Sequence, residues 1–198
     1  MGRPSKKAER TEQIMQAFQR CVARYGLEGS SLERIAEESG LQRSLVRHFA
    51  GNRDQLVQQL ADNVIQQSEQ QWSDYLTCLP QAEAIGYLLD GLFSDDHSDA
   101  EYVLVIESLI FAAGQDPELL QKMQGWMQRF TDDIETILKR DFPSASGPDI
   151  QAVAFGLVSI YFNLDSLAPL NMNQQFRIPA RRAAELMIIP LRATQGDA

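Results

Sequence analysis

The sequence has few of the residues from which catalytic sites, metal sites and disulfide-stabilised domains are built. Its 198 residues include two cysteines, Cys21 and Cys78, and two histidines, His48 and His97. The cysteines lie far apart without CxxC or Cys/His spacing, so we expect reduced thiols. The sequence contains no GxSxG, HExxH, GxGxxG or P-loop pattern. We therefore expect no cofactor, no metal and no enzymatic activity.

Long apolar runs are also missing. The longest apolar stretch, residues 150–164, is interrupted by Gln151, Ser159 and Asn163, and it is shorter than the roughly 20 residues that span a bilayer. Residues 1–10 are basic and polar, unlike a secretory signal. These features predict a cytoplasmic protein without a membrane span. The acidic segment 94–99 lacks the spacing of a calcium loop, so we interpret it as a connection between helices.

The sequence shows helical periodicity almost throughout and lacks the alternation of apolar and polar residues that is typical of strands. We therefore predict an all-α protein. In the first helix, Ile14, Phe18, Cys21 and Tyr25 form one apolar stripe, and Gly26 is placed to stop the helix. The predicted helices cover residues 5–25, 31–39, 42–49, 53–77, 81–93, 100–113, 117–140, 148–167 and 178–191.

The second and third predicted helices have recognisable ends. Ser30 can cap the second helix, and Glu33 stands three residues later, which is the spacing of a capping box. Gly40 can adopt the left-handed conformation that ends this helix after Ser39. Because the third helix follows at once, the pair has the outline of a helix-turn-helix motif.

Charge is distributed unevenly along the chain. The net charge is −9, yet residues 1–53 contain ten Lys/Arg against six Glu, a balance of +4, while the remainder has a balance of −13. A basic segment in an acidic protein indicates that this segment meets a polyanion.

The third helix carries residue types that suit the edges of DNA bases. Leu41, Leu45 and Phe49 recur every four residues and are expected to pack inward. Arginine can bind guanine O6 and N7 or a phosphate, glutamine suits adenine, and valine suits the thymine methyl group. The candidate DNA contacts are Gln42, Arg43, Ser44, Val46, Arg47 and His48, together with Ser31 before the second helix and Arg3 and Lys6 in the basic N-terminal arm. The arm either reads the minor groove or is a disordered tail that adds salt-dependent affinity.

Three segments carry a resemblance to a known family: AF at 17–18, RYGLEGSSL at 24–32 and IAEESGL at 35–41. They resemble the TetR family of bacterial transcriptional regulators over about residues 8–60. The resemblance implies a helix-turn-helix DNA-binding domain in residues 1–52 and a larger helical domain for ligand binding and dimerisation in residues 53–198. It also implies a homodimer through the last two helices, a palindromic double-stranded DNA operator and a small-molecule effector. We expect a repressor; the alternative is an adaptor that kept the fold without ligand-responsive operator binding.

The third helix departs from the family pattern, which usually has a Tyr in this helix and an aromatic pair ending in Phe after it. Without a gap, Arg47 takes the place of the Tyr and Ala50 that of the Phe. Alternatively, Phe49 replaces the Phe and the helix is one residue shorter. The register of the base-reading residues is therefore open by one residue.

Aromatic and sulfur-containing side chains of the larger domain either line an apolar ligand cavity or form the core. The candidates for a ligand pocket are Trp72, Tyr75, Phe93, Phe111, Trp126, Met127 and Phe130. The last three lie within little more than one helical turn, which suits an adaptable pocket.

The helix predicted over residues 148–167 is hydrophobic on all sides. It is either part of the dimer interface that the resemblance implies or a central helix within one subunit. Small residues at four- and three-residue spacing would let helices approach closely. The predicted interface residues are Ala152, Phe155, Gly156 and Ser159, with Leu186 on the last helix.

Overall fold

The all-α prediction is confirmed. The computed structural model describes residues 6–94 and 99–193, and over these ranges the chain forms nine α-helices and one 3₁₀ turn, Ala168–Leu170, without a strand. The helices are α1 (Lys6–Gly29), α2 (Leu32–Ser39), α3 (Arg43–Ala50), α4 (Arg53–Cys78), α5 (Ala84–Leu92), α6 (Ala100–Ala113), α7 (Pro117–Asp141), α8 (Gly147–Ser166) and α9 (Asn173–Ala193).

The first three helices pack against one another around a small apolar core. Ile14 and Phe18 of α1, Ile35 of α2 and Val46 of α3 are buried. Gly26 has a φ of 67°, which ends the regular part of α1 as predicted.

Gly40 occupies the left-handed region at the end of α2, with a φ of 66°. Its N–H donates to the Glu37 carbonyl at 3.2 Å, and the next N–H, that of Leu41, donates to Ala36 at 3.0 Å. These two bonds satisfy carbonyls that the end of a helix leaves unpaired. The predicted glycine turn between α2 and α3 is confirmed.

Two local predictions in this region are wrong. The N-cap of α2 is Ser31, whose hydroxyl accepts the Arg34 N–H at 3.3 Å, whereas Ser30 is buried and donates to the Gly26 carbonyl at 2.7 Å. Tyr25 lies past the core and is 50% exposed. The Arg34 guanidinium covers its ring, 4.4 Å from the ring centroid, so a cation–π contact replaces core packing there.

Neutral side chains fix the start of α4. The Asn52 N–H donates to Gln55 Oε1 at 3.0 Å, and the Gln55 N–H donates back to Asn52 Oδ1 at 2.9 Å. Two otherwise unpaired groups at the helix start are thereby satisfied by a reciprocal pair.

The last helix begins earlier than predicted. α9 starts at Asn173 and contains Pro179 and Pro190, whereas the sequence pattern placed its start at Ile178. Proline in a helix interior costs a hydrogen bond, and packing of α9 against α8 offsets that cost here. Residues 173–177, which were predicted to be a connection, are therefore helical.

The chain divides into two compact units. One contains the chain up to Gln70 together with Glu101–Gln124; the other contains Gln71–Ala100 and the chain from Gly125 onward. The second unit has a continuous apolar core to which α5, α7, α8 and α9 contribute, with Leu88, Ile134, Leu138, Leu157 and Ile188 almost inaccessible to solvent.

By length and composition alone, the segment Gly147–Leu170 could cross a membrane. In the fold, α8 uses this apolar character within the protein, because Val153, Leu157 and Leu164 lie in the core that α8 shares with α9. One face of α8 therefore belongs to the protein core.

Candidate functional site

The outward face of α3 carries most of the predicted DNA contacts. Gln42, which precedes the helix, and Arg43, Ser44, Arg47 and His48 are all exposed. The His48 ring packs edge-on against Phe49, with 5.0 Å between the ring centroids. The helix therefore presents a short polar and basic surface to solvent.

The prediction that Val46 faces outward is wrong. Val46 is 0% exposed and Ala50 is also buried, whereas Leu45, which was expected to pack inward, is 39% exposed. A strict four-residue spacing turns by about 40° at every step, so the predicted stripe of Leu41, Leu45 and Phe49 drifts away from the core. Burial of Val46 places Leu45 beside the basic side chains instead.

Carboxylates neutralise several arginines of this basic segment. Arg43 Nη1 lies 3.0 Å from Glu33 Oε1 on α2, and Arg20 Nε lies 2.6 Å from Glu38 Oε1. Arg47 has no ion-pair partner within residues 6–94 and 99–193. Among the described residues, the exposed face of α3 thus combines one paired guanidinium, that of Arg43, with one that has no ion-pair partner, that of Arg47.

The glutamates in these pairs are held in the charged form. Hydrogen bonds from its own backbone N–H and from the Ser31 hydroxyl lower the pKa of Glu33, and the Arg43 charge adds to this. The hydrogen bond from Arg20 lowers the pKa of Glu38. Both carboxylates therefore remain ionised at neutral pH.

The remaining predicted contacts fall in different places. Ser31 caps α2 and is half-buried. Lys6 is exposed at the start of α1. Arg3 lies outside the described residues.

Known proteins resemble the chain in fold more than in sequence. A TetR transcription regulator from Haloarcula marismortui ATCC 43049 superimposes with a TM-score of 0.75 at 18% identity, covering 90% of this chain and 96% of that one. A TetR-family regulator from Cytophaga hutchinsonii gives 0.74 at 15% identity, covering 96% and 98%. The chain has the TetR-family fold. No protein-family model matches the chain.

One curated relative is similar over a short segment. The HTH-type transcriptional repressor AcnR from Corynebacterium jeikeium is 37% identical over 54 residues, which are 27% of this chain and 29% of AcnR. The matched segment is thus less than a third of the relative.

In the second unit of this TetR-like chain, several predicted pocket residues form an aromatic cluster. The Trp72 and Phe130 ring centroids lie 4.6 Å apart, and Trp72 stacks on Tyr75 at 5.7 Å. The Trp72 Nε1–H donates to Asp133 Oδ2 at 2.9 Å. The cluster continues from Phe130 to Tyr161 at 5.7 Å. Sequence analysis did not single out Asp133 or assign Tyr161 to this site, because both become neighbours only when α4, α7 and α8 meet.

The other predicted pocket residues have different environments. The Trp126 ring contacts Phe162 edge-on, with 5.6 Å between the ring centroids. Met127 packs against the apolar core of the second unit, and Phe93 is buried in that core. Phe111 is 81% exposed on α6 in the first unit. The prediction that Phe111 lines an apolar cavity is therefore wrong, because its ring lies on the surface.

An open cavity of about 560 Å³ lies elsewhere, between α8 and α9. Its lining is mostly apolar and contains none of the predicted pocket residues. It consists of Ser159, Ile160, Asn163, Leu164, Leu167, Phe176, Pro179 and Ala180. Phe176 was not among the predicted pocket residues, because residues 168–177 were predicted to be a connection between helices.

The predicted interface residues lie on an exposed surface of α8 and α9, with one exception. Phe155 is 70% exposed, Ala152 and Ser159 are exposed, and Leu186 is half-exposed on α9. Gly156 differs: a Cβ there would lie 1.8 Å from Met187 Cε of the same chain. The missing side chain of Gly156 thus makes room for Met187 of the same chain, and a close approach of a second subunit at Gly156 stays a prediction.

Neither the cysteines nor the acidic residues of the described ranges form a further site. Neither Cys21 nor Cys78 forms a disulfide. Burial raises the pKa of the Cys21 thiol, whereas Cys78 is exposed. Residues 6–94 and 99–193 contain no group of three potential metal ligands. Asp95, Asp96 and His97 of the acidic segment lie outside the described residues.

Proposed function

We propose that the protein is a DNA-binding transcriptional regulator of the TetR type, which acts in the cytoplasm as a homodimeric repressor controlled by a small-molecule effector. The observation that carries the proposal is the exposed basic face of α3 behind the Gly40 turn. The similarity to a repressor over 54 residues supports the direction of regulation. We assign DNA binding to residues 1–52 and both dimerisation and effector binding to residues 53–198.

In this proposal α3 lies in the major groove of DNA. Arg43 and Arg47 take guanine or phosphate oxygens, Gln42 pairs with adenine, and Ser44 and His48 contact the neighbouring edges or phosphates. Leu45, exposed beside them, replaces Val46 as the side chain that touches a thymine methyl group. Ser31, Lys6 and Arg3 add contacts to the phosphates.

The proposed dimer interface is the exposed apolar surface of α8 and α9. Phe155 on α8 and Leu186 and Ile189 on α9 leave water when this surface is covered. Ala152 and Ser159 lie on the same face of α8 as Phe155, and their small side chains permit close approach. A two-fold dimer presents two α3 helices to consecutive major grooves, roughly 34 Å apart, at a palindromic operator.

The effector response requires a path from the ligand to α3, and α4 supplies one. At its start, Arg53 Nη2 donates to the Leu27 carbonyl at 2.7 Å, which ties α4 to the end of α1. Further along, Gln58 Nε2 donates to Asp116 Oδ2 at 2.8 Å, and Lys122 pairs with Asp62 at 2.7 Å. These bonds make the position of α4 depend on α7 and on Asp116, which precedes it, and couple that position to α1.

We propose that the effector binds at the aromatic cluster, where Trp72 of α4 faces Phe130. An aromatic, apolar ligand can replace ring contacts there, and the Asp133 carboxylate suits a cationic or hydrogen-bonding group. Because Trp72 and Arg53 belong to one helix, a ligand that prefers a shifted α4 also changes the DNA-bound state. The two tryptophans of the chain provide the fluorescence signal for ligand binding.

The test is DNA binding followed by fluorescence anisotropy, with a duplex selected by the wild-type protein from a randomised library. We expect a Kd on the order of 10 nM or tighter, with steep salt dependence. Arg47→Ala should weaken binding at least tenfold, whereas Arg192→Ala, which removes an exposed arginine from α9, should not. Failure to select any sequence, with no salt-sensitive affinity, would instead support an adaptor.

A further inference from the structure

Glu33 is an unexpected residue beside the proposed DNA-reading face. It lies on the first turn of α2 with its side chain about half exposed, and its carboxylate is ionised. A carboxylate near DNA repels phosphates and lowers affinity. An exposed ion pair also contributes little to folding stability. In the first turn of α2 the carboxylate also stabilises the helix start, but that role does not require its pairing with Arg43.

The geometry offers a different role, through Arg43. Glu33 Oε1 forms an ion pair with Arg43 Nη1 at 3.0 Å, and the Ser31 hydroxyl and the backbone N–H of Glu33 favour the charged form of this carboxylate by lowering its pKa. The capped start of α2 thus supports the carboxylate, and the carboxylate supports the guanidinium.

A guanidinium has five N–H donors in a rigid fork. With one nitrogen facing the Glu33 carboxylate, the remaining donors still match the O6 and N7 acceptors of guanine. The long side chain of an unpaired arginine can reach phosphates at many positions. At Arg43, a phosphate must instead compete with the Glu33 carboxylate for the guanidinium. Arg47, one turn later, has no such carboxylate within the described part of the chain.

We propose that Glu33 is a specificity-determining residue that positions Arg43 for guanine and withholds it from phosphates. Arg47 supplies the general phosphate affinity. This inference rests on the proposed DNA-binding function and concerns the same α2–α3 surface.

The test compares Glu33→Gln with wild type on the selected duplex and on a scrambled duplex of the same length and composition. Releasing Arg43 to a phosphate should steepen the slope of log K against log salt on scrambled DNA by about 0.9. At about 0.1 M salt, one such contact corresponds to roughly tenfold in affinity. The selected duplex should gain less, so the ratio of specific to non-specific affinity should fall.

Two further variants separate this role from simple charge. Glu37→Gln removes the same charge from an exposed position on α2 that has no ion pair among the described residues, and it should leave the specificity ratio within about twofold. In an Arg43→Ala background, Glu33→Gln should have no more effect than Glu37→Gln.

Several outcomes would overturn the inference. Equal effects of Glu33→Gln and Glu37→Gln would mean that Glu33 acts only as a charge, and a full effect in the Arg43→Ala background would mean that it does not act through Arg43. An unchanged specificity ratio in Glu33→Gln would also contradict it. Each of these results leaves wild-type DNA binding intact, whereas a wild-type protein that binds neither duplex overturns the proposed function.

Discussion

Substitution of lysine at two adjacent positions of α3 tests which side of this helix faces the core. Val46 is 0% exposed and Leu45 is 39% exposed. Val46→Lys gives up about 1.5–3 kcal/mol of valine burial and places an unpaired ammonium in the core, at a cost of several kcal/mol more. The sum is comparable to the whole stability of a small domain, about 5 kcal/mol or more. Leu45→Lys can extend its charge into water and should cost about 1 kcal/mol or less.

Hydrogen exchange of the backbone amides of α1–α3 reports this difference locally, without assuming that the whole chain unfolds in one step. We expect Val46→Lys to lose protection throughout these helices and Leu45→Lys to retain it. Val46→Ala gives a graded check at about 2 kcal/mol, from the two lost methyl equivalents and the cavity they leave. If Leu45→Lys unfolds the region while Val46→Lys stays protected, the core face of α3 has been assigned wrongly.

Three further predictions concern other parts of the chain. Gly40→Ala should destabilise α1–α3 by about 1–2 kcal/mol because of its positive φ, whereas Gly86→Ala, on an open helix face, should be neutral or stabilising; denaturant titration measures both. Leu186→Arg should give monomers in sedimentation equilibrium, while the matched Leu120→Arg on α7 should remain dimeric; monomeric wild type would refute the interface. Burial raises the pKa of Tyr102 to about 12, so the contribution of its neutral phenol to folding stability is complete below pH 10 and is lost as the pH rises towards 12. The titration of tyrosinate absorbance in Tyr102→Phe should lack the late transition that the wild type shows, and identical titrations would contradict the assignment.

The parts of the fold that local chemistry decides were predictable from sequence. Gly26 and Gly40 end helices because their backbone can take a positive φ, and no distant contact is needed for that. The boundaries of α6 were predicted without error because an acidic segment precedes it and Gly114 follows it. Local signals failed at α9, whose start was predicted at Ile178: the helix begins at Asn173 with Pro179 in its interior, and tertiary packing against α8 offsets the hydrogen bond that proline cannot make.

The candidate site was only partly predictable. An eight-residue helix makes little more than two turns, so an error of one residue in its inward face moves Val46 from solvent to core. Gly156 shows a second limit: a small residue permits close packing, but the sequence does not say whether the approaching atom belongs to the same chain. The pairing of Arg43 with Glu33 joins residues ten positions apart across the turn, and no periodicity within one helix reveals it.

The helices before and after α3 are capped at their starts by uncharged side chains. These are the Ser31 hydroxyl at α2 and the Asn52 and Gln55 amides at α4. Hydrogen bonds between neutral groups respond weakly to ionic strength, whereas contacts to phosphates respond strongly. In the proposed complex, added salt should therefore release the protein from DNA at concentrations that leave these helices intact. Dissociation by salt should be reversible, with the circular dichroism of the released protein unchanged, and a purification based on a salt gradient over immobilised DNA should recover it folded.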